Sequence, residues 1–202
     1  MAPVKRSQTL ARVTATTTPR RYLGEGNATP NSRGEIARRC LWALIQCTIF
    51  RWSPRGCHGF RIALLRAFGA AIPADGHVRI YPTAQVIYPW KLTCEPRVMI
   101  GPRVNLYNLA PVTLGYGVQL SQAVHLCAGT HDYTLWSLPL VTRPITIGAN
   151  AWLGAEVFVG PGVTIGELAV IGARSVVVKD QPARMVCAGN PCRPLKPRPD
   201  PQ

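Results

Sequence analysis

The sequence predicts an all-β fold, a parallel β-helix of hexapeptide units, preceded by a short helical segment and a disordered N-terminal tail. Three observations predict it. Aliphatic residues recur every six positions over much of residues 80–177. A glycine follows many of them, and a second small or apolar residue stands two positions before.

The chain opens with residues 1–34, rich in Thr, Pro, Gly and Arg and without periodicity, which predicts a disordered basic tail. Residues 35–75 then read as helical, in "EIARRCLWALIQCTIFRW" and "HGFRIALLRAFGA", with the breakers of "SPRG" at 53–56 between them. Two short helices docked on the main body are expected. The apolar run "CLWALIQCTIF" at 40–50 has eleven residues, short of the roughly 20 that a membrane span needs.

The repeat domain is placed at 76–196. Aliphatics stand at Ile80, Val86, Leu92 and Val98, shift by two to Ile100 and Leu106, and after a second offset continue at Leu114, Leu120 and Leu126. They resume at Ile147, Leu153, Val159, Ile165, Ile171 and Val177. Period six fits neither a helix nor a long alternating strand. Each unit therefore reads as a very short strand, in-out-in, followed by a tight corner whose glycine tolerates unusual dihedrals. Three sides close a triangular coil of about eighteen residues, and stacked coils share one aliphatic interior. The rhythm fails at "LCAGTHDYTLW", residues 126–136, so a loop insertion is placed at 132–146, and residues 197–202 form a C-terminal tail. In the hexad frame His131 takes an outward strand position on the prism surface, just before the insertion.

Composition narrows the function. The net charge is +14, and residues 1–75 hold 12 Lys or Arg against three acids. A basic front end suits an anionic surface. No aromatic-interleaved basic ladder, zinc-finger spacing or helix-turn-helix signal accompanies it, which argues against nucleic acid. Seven cysteines without a C-x-x-C or a secretory signal read as reduced thiols of a cytoplasmic protein, and Cys127 and Cys187 as small buried side chains.

Five stretches resemble the hexapeptide-repeat acyltransferases, and within them the colanic acid biosynthesis acetyltransferase group. They are "YPWKLT" (88–93), "LYNLAPVTLG" (106–115), "LSQAVHLCAGTHDY" (120–133), "PITIGANAWLGAEVFVGPGVTIG" (144–166) and "SVVVKDQPARMVCAGNPCRPLK" (175–196). The helical "RRCLWALIQCTIFRWSPRG" is also similar to that group. The resemblance implies a left-handed β-helix, an exception to the right-handed crossover rule. It implies acetyl-CoA as donor, a homotrimer with active sites in the clefts between prisms, and His131 as catalytic base.

A histidine suits that task because its reference pKa of about 6.5 leaves it largely neutral near pH 7. Asp132 orients His131 if the backbone turns there, and otherwise anchors the loop. The resemblance places an acceptor-contacting Asn in "NLYNL", and Asn105 and Asn108 both remain candidates. It also puts Trp152 against the pantetheine arm of CoA, the alternative being packing on a neighbouring subunit or loop. Gly154, Ala155 and Ala173 would offer backbone groups to pantetheine, and Lys179 and Arg193 would meet CoA phosphates.

Related β-helices include zinc carbonic anhydrases with three histidines. Here His125 and His131, six apart, point from successive sides, and His58 and His77 lie outside the well-phased coils. No metal is expected, and His125 reads as a surface residue.

The expected function is O-acetylation of a sugar hydroxyl in exopolysaccharide or related glycan biosynthesis. The alternatives are another small hydroxylated acceptor, an antibiotic or amino acid, or a non-catalytic β-helix scaffold. A cytoplasmic location is expected, with peripheral membrane contact through the basic helices as an option.

Overall fold

A computed structural model describes residues 32–199, so all but the last three residues of the expected N-terminal tail lie outside the described residues. Helix α1 (Arg33–Ile45) begins two residues before the sequence boundary because the Ser32 hydroxyl accepts from Glu35 N–H at 3.2 Å, an N-cap. A π-turn (Gln46–Phe50) continues it, and after the 53–56 break α2 (His58–Ala67) follows.

The rest is a left-handed parallel β-helix, a triangular prism of five coils. Its first face stacks β1 (Arg79–Ile80), β4 (Met99–Ile100), β7 (Gln119–Leu120), β12 (Trp152–Leu153) and β15 (Val170–Ile171). That face ends in the hairpin of β17 (Met185–Gly189) and β18 (Cys192–Pro197). The second face stacks β2 (Gln85–Val86), β5 (Asn105–Tyr107), β8 (His125–Cys127), β13 (Phe158–Val159) and β16 (Val176–Val177). The third stacks β3 (Leu92–Cys94), β6 (Val112–Leu114), β11 (Ile145–Ile147) and β14 (Thr164–Ile165). Each inward column is aliphatic and closed to solvent, for example Val86, Leu106, Leu126, Val159 and Val177, all 0% exposed. Burying each such side chain is worth roughly 1.5–3 kcal/mol, which is why the period is so strict.

The glycines do a different job from the one the sequence suggested. In the "IG" and "LG" pairs they keep ordinary φ. The left-handed corner residue comes two positions later and is mostly not glycine: Arg103, Glu156, Leu168 and Arg174 have φ of 57–59°. What excludes a side chain at Gly148 is the next coil, since a Cβ there would sit 2.5 Å from Glu167 N.

Both two-residue offsets fall at one corner, between the second and third faces. Val86 to Cys94 and Leu106 to Leu114 each span eight positions, where Val159 to Ile165 spans six. The third coil carries its insertion at the same corner. The chain leaves β8, forms the antiparallel hairpin β9 (Gly129–His131) and β10 (Leu140–Thr142), and returns through Arg143, whose N–H donates to Ala128 O at 3.1 Å.

The helices cap the open N-terminal edge of the prism. Trp42 Nε1 donates to Val86 O at 2.6 Å, and Gln46 Oε1 accepts from Val86 N at 2.8 Å. Arg61 Nε donates to Ile80 O at 2.7 Å, and Ala71 bridges to Thr93. The cap thus bonds edge groups on each of the three faces: Ile80 O, Val86 N–H and O, and Leu92 O. Arg61 is fully buried, its pKa lowered by desolvation, and its guanidinium also donates to Ser53 Oγ, Pro54 O and Arg55 O, which ties the interhelical turn to the first coil.

Candidate active site

The hexad count put His131 on a prism strand, but the structure puts it on β9, inside the insertion. The reason is that the chain leaves the coil after Ala128, earlier than residue 132. His131 is exposed, and its Nδ1 lies 2.6 Å from Leu138 O across the hairpin. A carbonyl can only accept, so Nδ1 carries the proton and Nε2 presents its lone pair.

Asp132 does not hold the imidazole. Its Oδ1 accepts from Thr134 N at 2.9 Å and from Thr134 Oγ1 at 2.6 Å, and these donors keep its carboxyl below the usual range. It anchors the loop, the second of the two sequence readings.

The two asparagines separate clearly. Asn108 is fully buried in the enlarged corner. Its Oδ1 accepts from Ile87 N at 3.2 Å and Tyr88 N at 3.0 Å, and its Nδ2 donates to Tyr88 O at 2.6 Å. A side chain so enclosed cannot contact an acceptor, so Asn108 is corrected to a corner clamp. Asn105 stays on the outward column of the second face, in register with Gln85 and His125, and its buried Oδ1 has no partner among the described residues. His125 is also corrected. It is half-buried between Tyr107 and Phe158, Nε2 unpartnered, and desolvation lowers its pKa.

Trp152 points outward on the first face, about half exposed (49%), with Nε1 donating to Ser121 Oγ at 3.0 Å. Gly154, Ala155 and Ala173 stand at the corner leaving that face, and exposed Arg193 lies further along it on β18. Gly154 N–H is already bonded to Ile171 O and Ala155 O to Arg174 N–H, both at 2.8 Å. The groups left to a ligand are therefore Ala155 N–H, Gly154 O and Ala173. Lys179 is exposed just beyond β16, at the corner from which the insertion leaves two coils earlier. Within one chain, then, Trp152, Gly154, Ala155, Ala173 and Arg193 share one side, while His131 and Lys179 belong to the opposite corner.

Sequence reasoning missed Leu138, Thr134 and Ser121, which position the named side chains. "DYT" was a legible signal for the Asp132–Thr134 turn. Nothing in the sequence marked Leu138, because its part is played by a backbone carbonyl. Burial pushes the Cys94 thiol up to about 12 and Cys187 to about 11, so neither supplies a thiolate. Among the described residues no cluster of three His, Cys, Asp or Glu could hold a metal ion.

Residues 144–179 match the bacterial transferase hexapeptide (six repeats) family. The chain is 44% identical over 165 residues to a protein of Escherichia coli (strain K12) assigned to colanic acid biosynthesis as the acetyltransferase WcaF, covering 82% of this chain and 90% of that one. A solved galactoside acetyltransferase in complex with coenzyme A is 28% identical, with a TM-score of 0.67 and 84% of each chain covered. A hexapeptide-repeat acetyltransferase of Vibrio cholerae, solved with acetyl coenzyme A, shares the fold at a TM-score of 0.75 and 24% identity, over 84% of this chain and 91% of that one. A prism with an interrupted third coil, together with a near full-length relative at this identity, makes the chain a hexapeptide-repeat acetyltransferase of the colanic acid biosynthesis group.

Proposed function

We propose that the protein transfers the acetyl group of acetyl-CoA to a sugar hydroxyl in exopolysaccharide or related glycan biosynthesis, with His131 as general base. The observation that carries this reading is the 2.6 Å contact of His131 Nδ1 with Leu138 O, which leaves Nε2 free to take a proton. Nε2 accepts the hydroxyl proton as the sugar oxygen attacks the thioester carbonyl. The tetrahedral intermediate collapses to the ester, the C–S bond breaks, and the imidazolium returns its proton to the departing thiolate. The Leu138 carbonyl holds Nδ1–H through both transfers. No covalent enzyme intermediate forms, consistent with the protonated buried thiols.

A homotrimer accompanies this reading. The insertion springs from the corner opposite the Trp152 face, so a donor lying on Trp152 reaches the His131 of a neighbouring copy rather than its own. The exposed tip of the insertion, Tyr133, Leu135 and Trp136, supports the same arrangement, since a neighbour would cover it. Exposed Leu41, Leu44 and Ile49, with exposed Arg55 in the turn that follows, support peripheral contact with the cytoplasmic face of a membrane. No described helix is long and apolar enough to cross one.

The test is incubation with acetyl-CoA and a panel of free sugars and nucleotide sugars, reading thiol release together with acetyl ester in the acceptor. Stoichiometric ester and thiol support the reading. Failure to bind CoA at all would sink it.

A further inference from the structure

Between the helical cap and the first two coils lies an open cleft of about 640 Å³. It is lined by Arg51 and Trp52 at the end of the first helix, and by Gln85, Arg103 and Asn105 on the second face. No acidic residue lines it, and neither guanidinium has a hydrogen-bond or ion-pair partner among the described residues. Arg103 is set at its corner by φ 57° and by its N–H donating to Thr83 Oγ1 at 2.9 Å, while Arg51 is carried on a turn fixed by the buried Arg61. Trp52 is 83% exposed beside them.

Two planar guanidiniums without a carboxylate favour a phosphate, which each can grip bidentately. An exposed indole at the same cleft gives a flat face for a sugar or a base. Asn105 belongs to both the cleft and the outward column that runs Gln85, Asn105, His125, one step of about 4.8 Å per coil. The coil that carries His125 is the coil that sends out the insertion with His131. A ligand anchored at the arginines therefore extends along this face toward the base.

We infer that the cleft is a phosphate subsite for the acceptor, so that the acceptor is a sugar phosphate or diphosphate ester rather than a neutral sugar. Arg51 and Arg103 bind the phosphate, and Asn105 lies under the sugar that reaches toward His131. This rests on the acetyl-transfer reading above, but the subsite is testable apart from it.

The first measurement is calorimetric binding of inorganic pyrophosphate to the full chain saturated with CoA, in wild type and in an Arg51→Gln, Arg103→Gln double variant. One equivalent binding to wild type, weakened at least tenfold in the variant with CoA affinity unchanged, is the expected result. Absence of pyrophosphate binding while CoA binds overturns the subsite, and so does displacement of CoA by pyrophosphate, which would make the cleft part of the donor site. Failure of CoA binding strikes the acetyl-transfer reading instead, and the pyrophosphate result on the unliganded protein then still decides the subsite.

A kinetic arm compares galactose, galactose 1-phosphate, UDP-galactose and a galactosyl diphosphate polyprenol in detergent. The phosphorylated forms should have kcat/KM at least tenfold above galactose, an advantage lost in the double variant. Preference between the last two distinguishes a nucleotide from a lipid carrier. Equal use of galactose and its phosphorylated forms by wild type overturns the inference.

Discussion

His131 Nδ1 and the Leu138 carbonyl oxygen, seven residues apart in sequence, meet at 2.6 Å across the β9–β10 hairpin. Leu138 aims that carbonyl from a left-handed backbone, φ 44°. A β-branched residue tolerates this region poorly. Leu138→Val should cost about 1–2 kcal/mol in that conformation, or roughly tenfold in kcat, with KM for acetyl-CoA unchanged. Leu138→Gly, which accepts φ > 0 freely, should retain most of the activity. Steady-state kinetics of the pair decides it, and equal rates for Val and Gly would show that the carbonyl does not matter.

The coil spacing makes a sharp contrast between two glycines. A Cβ on Gly148 would press within 2.5 Å of Glu167 N, whereas one on Gly160 would have its nearest neighbour, Val177 O, at 3.6 Å. Gly148→Ala should lower stability by about 1–3 kcal/mol through overpacking against the backbone. Gly160→Ala should be neutral, or stabilising by about 0.4–1 kcal/mol through the unfolded chain. Thermal unfolding of the two variants reads the difference directly.

Asn108 should act on stability, not on acceptor affinity. Asn108→Ala leaves the buried Tyr88 N–H without a partner and opens a void in the corner, whereas Ile87 N–H keeps Leu106 O and Tyr88 O keeps Lys91 N–H. The expected loss is about 1–3 kcal/mol. An unchanged Tm with a raised acceptor KM would instead return Asn108 to the substrate site.

The Asp132–Thr134 turn carries a pH signature. Two Thr134 donors depress the Asp132 pKa, so the ionised carboxylate favours the folded loop. That contribution is complete above the unfolded carboxyl value of about 3.9 and is lost as pH falls through the depressed folded value. The protection factor of Thr134 N–H, its exchange relative to the intrinsic rate at the same pH, should thus be high at neutral pH and fall in acid. Asp132→Asn should lower that protection at neutral pH without altering unfolding of the prism. Amide exchange by NMR follows both.

How much of this was legible in the sequence differs by residue. Leu120, Leu126, Leu153 and Val159 announce themselves because one buried column per face demands an aliphatic at fixed spacing. Trp152 follows from the same frame, being one position out of phase with Leu153. His131 was singled out, yet placed on the wrong kind of strand, since counting by six cannot register where a chain leaves its prism. Asn105 and Asn108 could not be told apart, because the enlarged corner at Asn108 is a property of three stacked coils rather than of one segment. The cap was legible as helices, but nothing in the sequence marked Arg61 as buried, for its partners are a hydroxyl and carbonyls of the interhelical turn and the carbonyl of Ile80 on the first coil.

Acetyl-CoA thiol release by wild type and His131→Ala, with CoA affinity and folding matched beforehand, decides whether His131 is the base. If His131 Nε2 is the base, the variant binds CoA as wild type does and loses at least about 10²-fold in kcat. Equal turnover by the two proteins would place the base elsewhere.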